Sequence, residues 1–463
     1  MKAIICAMLS GVALFLSMNQ GQVWLLAWFA PMPLLWLAFR QEPRWRLGLA
    51  GFAAFALGQF NLQEAHANLG MMIWSLVLPS AAFAVALLFV RSAAHRLAPL
   101  LAVFAFPVFW TSFEYLHSLI SPNGTFGSLA YSQIDAPFLI QSAALFGMWS
   151  VTFLLCFFAS AFAIVLSLGK DAFPVSIIAL VLLGGNVAYG VISLGQPQKG
   201  TERVGLAAND ALGHLSFADT FHYALSMTTA YADAARELAH EGATTIVMPE
   251  NVAILNPSYR EQVIAPLTSA AKETGATIVT GFTEQADKPR NIALTFSPSG
   301  TVSRYVKRHK PSEGIKLQNE GQTSEFLDSG RSMALSHDMD LPDTSSAEAQ
   351  SHPSLVYIAA TDFGLDSWRH ARMASMRGVE NGFAVVRSAT DGLLTVTDAQ
   401  GRLVAQSKSS KTDMVTLVAN VSPGPGVTPY LHMGDVFPWV CLGLLAGMIL
   451  VLFLENEGRQ KSG

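Results

Sequence analysis

Hydrophobic runs long enough to cross a lipid bilayer dominate the first 198 residues of this 463-residue chain. A helix needs about 20 consecutive apolar residues to span the hydrocarbon core. Runs of this kind, separated by short polar or basic breaks, predict a bundle of about eight membrane helices. Their expected bounds are 3–19, 22–39, 47–62, 71–91, 97–117, 137–168, 174–194 and, near the carboxyl end, 437–454.

The pattern changes after a polar linker at 195–200. From there, short runs typical of strands alternate with amphipathic stretches of helical period, which favours a layered α/β sandwich. We expect three regions: helices in 1–198, an α/β domain in 199–432, and a last helix with its tail in 433–463. The expected strands are 204–208, 244–248, 276–280, 292–297, 302–306, 355–359, 383–387, 393–397 and 414–418, and the expected helices are 217–241, 257–275 and 367–381.

One polar stretch, 336–354, fits neither pattern and is expected to be a loop or a short helix. The hairpin between 292–297 and 302–306 turns at Pro298, Ser299 and Gly300. In the membrane half, Glu114 and His117 interrupt apolar runs. Ionisable groups inside a membrane are costly and often functional, but the same residues could sit at helix ends in the headgroup layer.

Composition supports a membrane protein. The chain is 51% hydrophobic and only 13% charged, whereas soluble domains are about 25% charged. A net charge of −4 without a basic tract gives no reason to expect a nucleic-acid partner. The cysteines Cys6, Cys156 and Cys441 have neither pairing nor metal-binding spacing, so we expect no cofactor and no metal.

Basic residues mark alternate ends of the predicted spans, and the opposite short loops lack Lys and Arg. Because basic loops stay on the cytoplasmic side, one orientation fits every loop. Both termini are then cytoplasmic, and the 199–432 domain lies on the far side of the inner membrane, which is the periplasm of a bacterium with two membranes. The basic residues are Lys2, Arg40, Arg44, Arg46, Arg91, Arg96, Lys170, Arg459 and Lys461.

Two charged residues follow predicted strands of the α/β domain. Glu250 comes after an apolar run and a proline, and Lys307 closes the second strand of the hairpin. A carboxylate presented at a strand end can act as a general base, and a nearby ammonium can stabilise an oxyanion. Each residue taken alone could also be a helix cap or an ordinary surface charge.

Several motifs, in a fixed order over nearly the full length, resemble one bacterial family. The 199–432 domain resembles the carbon–nitrogen hydrolase (nitrilase) superfamily, an α-β-β-α sandwich that uses Glu, Lys and Cys. The whole chain resembles the apolipoprotein N-acyltransferase family, which joins about eight membrane helices to a periplasmic domain of that kind. The matching stretches are 110–114, 127–133, 147–153, 249–250, 305–309, 369–392 and 428–430.

Two departures from the family pattern affect the implied active site. The resemblance makes Glu250 the base and Lys307 the oxyanion-binding lysine, but the expected nucleophilic cysteine is replaced. Its counterpart is Ser336, followed by His337 and Asp338. The family also has a glutamate after the lysine motif. Its counterpart here, Glu313, lies two positions closer to the lysine than in the family pattern. The resemblance places His337, Glu313 and Asp338 around the oxyanion or in support of the reacting residues.

The resemblance implies transfer of an acyl chain from a phospholipid donor to the amino-terminal cysteine of a diacylglyceryl lipoprotein. The chain would work in the membrane lipid as a monomer. Because a serine hydroxyl needs a well-placed base that a thiolate does not, two alternatives stay open. One is an inactive pseudoenzyme that binds lipid or lipoprotein, and the other is an amidase-like hydrolase.

Overall fold

The computed structural model describes residues 1–19, 23–60, 69–211, 221–307, 330–341, 349–362 and 367–461, without the side chains of His337 and of 455–461. These residues form two compact units. The first contains Met1–Gly195 together with His432–Gly463, and the second contains Gln196–Leu431.

Apolar helices build the first unit. Buried alanine, leucine and aromatic side chains pack between them, and the small alanines let the helices approach closely, as in helix pairs that associate within lipid. The helices are α1 (Lys2–Met18), α2 (Leu26–Phe29), α3 (Met32–Phe39), α4 (Arg44–Gly58), α5 (Leu69–Arg96), α6 (Pro99–Ile120), α7 (Pro137–Ile140), α8 (Ala143–Phe146), α9 (Met148–Leu168) and α10 (Phe173–Leu194), with a last helix at Val436–Lys461.

Within the described residues, four helical stretches are long and apolar enough to cross a membrane: Leu69–Arg96, Pro99–Ile120, Met148–Leu194 and Val436–Leu454. Three further apolar stretches are shorter: Lys2–Met18, Leu26–Phe39 and Pro137–Phe146. The total of about eight spans therefore stays a prediction. The predicted segment 137–168 is not one helix, because the chain breaks at Gly147 between α8 and α9.

Glu114 is buried in the helical unit rather than placed at a headgroup-facing helix end. Its carboxylate accepts hydrogen bonds from Trp110 Nε1, Ser128 Oγ, the Leu129 N–H and Thr152 Oγ1, at 2.6–3.0 Å. These donors satisfy a buried carboxylate that would otherwise be very costly. Glu114 thereby ties the loop before Leu129 to α6 and α9.

The second unit contains two β-sheets. One sheet has the order β12-β1-β2-β4-β5-β6, with β3 beside β4, and the other has the order β11-β10-β9-β8-β7. The strands are β1 (Glu202–Ala208), β2 (Thr245–Val247), β3 (Ile254–Leu255), β4 (Thr277–Glu284), β5 (Arg290–Phe296), β6 (Val302–Val306), β7 (Arg331–Leu335), β8 (Leu355–Thr361), β9 (Ala384–Thr390), β10 (Leu393–Thr397), β11 (Leu403–Lys408) and β12 (Val415–Val421).

Strand side chains alternate between two cores, as the pleat requires. On β8, Leu355 and Tyr357 pack between the two sheets, whereas Val356 and Ile358 pack on the opposite face. Helices α11 (Phe221–His240) and α12 (Arg260–Thr274) cover the outer face of the first sheet, and α13 (Ser367–Asn381) covers that of the second. The layers are therefore α-β-β-α, as expected from the resemblance.

Parallel pairing brings the candidate residues to one end of the sandwich. Strands β1, β2 and β4 run parallel in one sheet, and β7, β8 and β9 run parallel in the other. Glu250 follows β2, Ser336 follows β7, and Thr361 is the last residue of β8. The carboxyl ends of parallel strands are the usual place for ligands and catalysis in α/β folds.

Candidate active site

Glu250 is held by its main chain as well as by its side chain. Its N–H donates to the Ala360 carbonyl at 3.2 Å, and its own carbonyl accepts from Thr361 Oγ1 at 3.2 Å. Both contacts join the segment after β2 to the end of β8 in the other sheet. Gly281 on the neighbouring strand β4 leaves room for the Glu250 main chain, because a Cβ there would lie 2.7 Å from the Glu250 Cα.

Glu250 and Lys307 form a buried ion pair. Lys307 Nζ donates to Glu250 Oε1 at 2.7 Å, and the two side chains are only 5% and 2% exposed. Asn291 Nδ2 donates to the same carboxylate oxygen. Two buried charges offset their desolvation only when geometry and extra hydrogen bonds are good. This pair meets that condition, so the ammonium and the carboxylate are held in fixed positions.

Asn291 is a member of the site that the motifs did not identify. It lies at the start of β5, and its carbonyl accepts the Lys307 N–H at 2.9 Å. The register of the predicted hairpin was enough to place Asn291 opposite Lys307. The hairpin turns at Ser299, and residues equally far from 299 pair, as Ile292 does with Val306. The next pair outward is Asn291 and Lys307, so the turn alone could have placed the amide beside the lysine.

Ser336 stands on a sharp turn directly after β7 and opens a 3-10 turn, Ser336–Met339. Its φ of +33° is a left-handed backbone conformation that residues other than glycine rarely adopt. Such strain persists where surrounding contacts impose it, and it often occurs at reacting residues. A strand, a strained turn and a short helix are also how hydrolases present a nucleophilic serine.

Thr361 connects Ser336 to Glu250. The Ser336 hydroxyl donates to the Thr361 carbonyl at 3.3 Å, while the Thr361 hydroxyl donates to the Glu250 carbonyl. The structure thus brings Glu250, Lys307 and Ser336 to the same strand ends. In this arrangement the Ser336 hydroxyl bonds to the main chain of Thr361 and not to the Glu250 carboxylate.

The residues expected around the oxyanion have different positions. Asp338 is fully buried, and its Oδ2 accepts the Tyr305 hydroxyl at 2.7 Å. A carboxylate cannot donate to an oxyanion, so Asp338 fits a supporting role that fixes the turn to β6. The His337 main chain lies in the 3-10 turn. The His337 side chain and Glu313 lie outside the described residues.

A second buried ion pair supports the end of β8. Arg387 on β9 donates two hydrogen bonds, in a bidentate arrangement, to the carboxylate of Asp362, the residue after Thr361. Burial acts to lower the pKa of Arg387, but the Asp362 carboxylate, together with Asp340 and Glu250, raises it overall. Arg387 therefore stays charged and holds Asp362, and with it the Thr361 carbonyl beneath Ser336.

Buried polar pairs also fix α13. Arg377 and Glu380 form a buried ion pair one turn apart at 2.6 Å. His370 Nδ1 lies 2.9 Å from Asp340 Oδ2, just after the Ser336 turn. The His370–Asp340 contact joins α13 to the segment that follows the Ser336 turn.

Apolar helices in one unit and an α-β-β-α sandwich with a buried Glu–Lys pair in the other are the features of a membrane protein with an α/β domain of nitrilase-like fold. The model of the apolipoprotein N-acyltransferase N-terminal domain matches residues 10–161. The apolipoprotein N-acyltransferase of Geobacter metallireducens is 26% identical over 97% of this chain and 95% of its own length. That of Vibrio vulnificus is 28% identical over 96% of each chain.

This chain is therefore similar to the apolipoprotein N-acyltransferases over nearly its whole length. Its α/β domain contains no cysteine, because Cys156 and Cys441 flank it without a thiol between them. Among solved structures, the chain is similar to an amidase from Nesterenkonia sp., with 19% identity, a TM-score of 0.41 and coverage of 51% of this chain and 95% of that one. A carbon–nitrogen hydrolase from Helicobacter pylori has 14% identity, a TM-score of 0.41 and coverage of 48% and 90%.

Proposed function

We propose that this chain transfers an acyl chain from a membrane phospholipid to the amino-terminal amine of a diacylglyceryl lipoprotein cysteine. The buried Glu250–Lys307 pair at the strand ends carries the proposal. Similarity to apolipoprotein N-acyltransferases over nearly the whole length supports the donor and the acceptor. In the overall reaction a phospholipid ester bond breaks and an amide bond forms, and the amine proton ends on the released glycerol hydroxyl, which leaves a lysophospholipid.

The proposed route assigns each residue one task. Ser336 attacks the ester carbonyl, and Glu250 takes the hydroxyl proton as the new bond forms. Lys307 and the main-chain N–H of His337 donate to the oxyanion of the tetrahedral intermediate. Collapse of this intermediate breaks the ester C–O bond, and Glu250 gives its proton to the departing glycerol oxygen. The lipoprotein amine then attacks the acyl-serine and Glu250 accepts the amine proton. Glu250 passes that proton to the Ser336 oxygen as the bond between the acyl group and the serine breaks.

Replacement of cysteine by serine makes this route more demanding. A serine hydroxyl is not ionised at neutral pH, so proton removal must accompany attack. Its present hydrogen bond to Thr361 must also be exchanged for one to the carboxylate. The fixed Glu250, which already accepts from Lys307 and Asn291, is the base for that step.

The proposal is tested by rescue of a bacterial strain depleted of its own apolipoprotein N-acyltransferase. Expression of this chain should restore growth and convert diacylated lipoproteins to the triacylated form, as seen by mass spectrometry of their amino-terminal peptides. A Glu250→Gln variant present at the same membrane level should restore neither. Growth without triacylated lipoprotein would reject the proposed reaction in favour of a binding role.

The covalent step is tested by comparing two buried serines. Ser336→Ala removes the proposed nucleophile and should reduce transfer by at least about a hundredfold, as loss of a catalytic nucleophile does. Ser388→Ala is the matched control, because Ser388 is also buried and also donates to a main-chain carbonyl, that of Ala207. Equal activity of the two variants would show that the amine attacks the phospholipid directly. Ser336→Cys should retain activity and react with an alkylating reagent.

We propose a topology of about eight spans, with both termini in the cytoplasm and the α/β domain in the periplasm of a monomeric inner-membrane protein. Alternating basic span ends support it. Ser299 lies exposed on the hairpin turn, whereas the native cysteines are buried. A Ser299→Cys variant should therefore react with a membrane-impermeant thiol reagent in intact spheroplasts. Reaction only after the inner membrane is opened would reverse the orientation.

A further inference from the structure

The α/β unit has a polar cleft between its two sheets, with a volume of about 450 Å³. The cleft lies at the amino ends of the parallel strands, because Thr245, Thr277 and Arg331 are the first residues of β2, β4 and β7. Glu250, in contrast, follows the carboxyl end of β2. The cleft is therefore at the opposite end of the sandwich from the candidate active site and is separate from it.

Hydroxyl groups form most of one wall of this cleft. Thr245 pairs with Thr277 across β2 and β4, and Thr295 pairs with Ser303 across β5 and β6. Side chains alternate along a strand, so these four residues face the second sheet, as Val247 does two residues after the first of them. Threonine has nearly the shape of valine. This end of the layer between the sheets therefore presents hydroxyls at positions where valine would continue the apolar core.

Two of these hydroxyls can be reached from the cleft. Thr277 and Ser303 both line it, and both side chains are half-buried. Within the described residues neither hydroxyl makes a hydrogen bond, and neither oxygen is enclosed by its surroundings. A hydroxyl donates one hydrogen bond and accepts others. The wall therefore offers accessible donors and acceptors to a ligand that has hydroxyls of its own.

An ion pair lines the same cleft and balances its charge. Glu202 Oε1 accepts hydrogen bonds from Thr245 Oγ1 at 2.8 Å and from the Tyr357 hydroxyl. Glu202 Oε2 accepts from Arg331 Nε at 2.8 Å and from Arg331 Nη2 at 2.7 Å. The carboxylate and the guanidinium neutralise each other, and a charged ligand would meet one charge of its own sign. The cleft therefore favours an uncharged ligand.

We propose that this cleft binds an uncharged sugar ring between the hydroxyls of Thr277 and Ser303. A cavity of about 150 Å³ holds the six carbons of benzene, so 450 Å³ has room for about 18 non-hydrogen atoms, more than one pyranose requires. Strands β4 and β6 are two strand spacings apart, and the register sets Ser303 two residues along from Thr277, which separates these residues by about 12 Å. A pyranose with one hydrogen bond of about 3 Å at each end spans that distance.

Saturation-transfer NMR of the purified full-length protein, in a detergent without a sugar headgroup, tests this proposal. Glucose and N-acetylglucosamine are the neutral probes, and glucosamine and glucuronate carry the same ring with one positive or one negative charge. A neutral probe should bind, and the charged forms should bind about tenfold more weakly, because each brings a charge that has no partner in the cleft. Failure of both neutral probes to bind would overturn the proposal, and so would tighter binding of either charged form.

Two threonines of the same sheet provide matched variants. Thr277→Val removes an accessible hydroxyl of the cleft and keeps the shape of the side chain. It should weaken binding of the neutral sugar about fivefold, the effect of losing one hydrogen bond. Thr416→Val is the control, because Thr416 is exposed on β12 and does not line the cleft. Equal affinity of the two variants for the sugar would reject the site.

A second pair of variants fills the cleft instead of removing a hydroxyl. Ser303 lies on β6, the last strand of its sheet, so an indole there has room to enter the cleft. Ser303→Trp should abolish sugar binding, whereas Ser226→Trp, on an exposed position of α11, should leave it intact. Binding that survives Ser303→Trp would place the sugar elsewhere and reject the site. The readout does not depend on acyl transfer, so the cleft and the proposed function can fail separately.

Discussion

At the residue scale, the central feature is a buried charge pair whose members come from distant parts of the sequence. Glu250 and Lys307 were recognisable because each follows a strand-like run and lies within a family motif. Asn291, which donates to the same carboxylate, has no motif and becomes visible only when the hairpin is paired about Ser299. The Arg387–Asp362 pair could not be predicted, because it joins the middle of β9 to the residue after β8, and the sequence does not state that these strands are adjacent.

Lys307→Met should destabilise the α/β unit by about 3–5 kcal/mol, because it leaves the Glu250 carboxylate buried without its cation. Adding Glu250→Gln should recover part of that loss, since the double variant has no unpaired buried charge. The measurement is resistance of the solubilised full-length protein to proteolysis in increasing urea. Arg236→Met, which breaks an exposed pair with Glu273, is the control and should leave resistance near wild type. Strictly additive losses at 250 and 307 would contradict the coupling.

At the element scale, periodicity located most helices and strands to within a few residues. The strand β11 (Leu403–Lys408) was not predicted, because it is a largely exposed edge strand without an apolar run. The helical unit differs more from expectation. The predicted span 22–39 contains two separate helices, α2 and α3, and Gly147 interrupts the predicted span 137–168. Hydropathy registers length and apolar content, but it does not register where packing interrupts a helix.

The contact between the two sheets should give the protein a characteristic alkaline transition. Tyr357 on β8 donates to Glu202 on β1, and burial followed by the Glu202 charge raises the pKa of Tyr357. A raised folded-state pKa contributes stability below the unfolded pKa of about 10, and that stability is lost as pH rises above it. Wild type should therefore lose stability steadily above pH about 10.

Tyr357→Phe should cost about 1.5–3 kcal/mol at neutral pH, because it removes a hydrogen bond to a charged acceptor. Above pH about 10 it should lose stability less steeply than wild type, since one buried phenol no longer has to stay protonated. Thermal unfolding followed from pH 7 to 11 checks both statements. Parallel curves for the two proteins would mean that Tyr357 has no part in the alkaline loss.

Two glycines on α10 separate packing from helix propensity. Gly190→Ala should destabilise the helical unit, because its Cβ would collide with the Phe138 carbonyl and push α10 from α7. Gly184→Ala should be neutral or stabilising by up to about 1 kcal/mol, because nothing lies within 4 Å of its Cβ position and alanine favours a helix. Thermal unfolding of both variants in detergent provides the comparison. Similar shifts would show that α10 does not depend on this close approach.

At the scale of the whole molecule, the order of motifs along the chain indicated a resemblance to the apolipoprotein N-acyltransferase family, and the α-β-β-α layers of the second unit match the fold that this resemblance implied. The sequence also showed that the thiol is missing. It could not show what surrounds its replacement, because the positions of Thr361, Asp362 and Arg387 beneath Ser336 depend on parallel pairing of β7, β8 and β9. Those contacts hold the residues around Ser336 in fixed positions. This favours an active acyltransferase over an inactive protein that only binds lipid or lipoprotein.

The most direct test is the mass of a lipopeptide incubated with the purified full-length protein. The reaction contains phosphatidylethanolamine and a synthetic diacylglyceryl lipopeptide with a free amino terminus. The proposed function predicts a mass increase of one acyl group on the amine, absent with Glu250→Gln and retained with the exposed control Glu273→Gln. An unchanged lipopeptide, under conditions in which the Vibrio vulnificus relative acylates it, would contradict the proposed function.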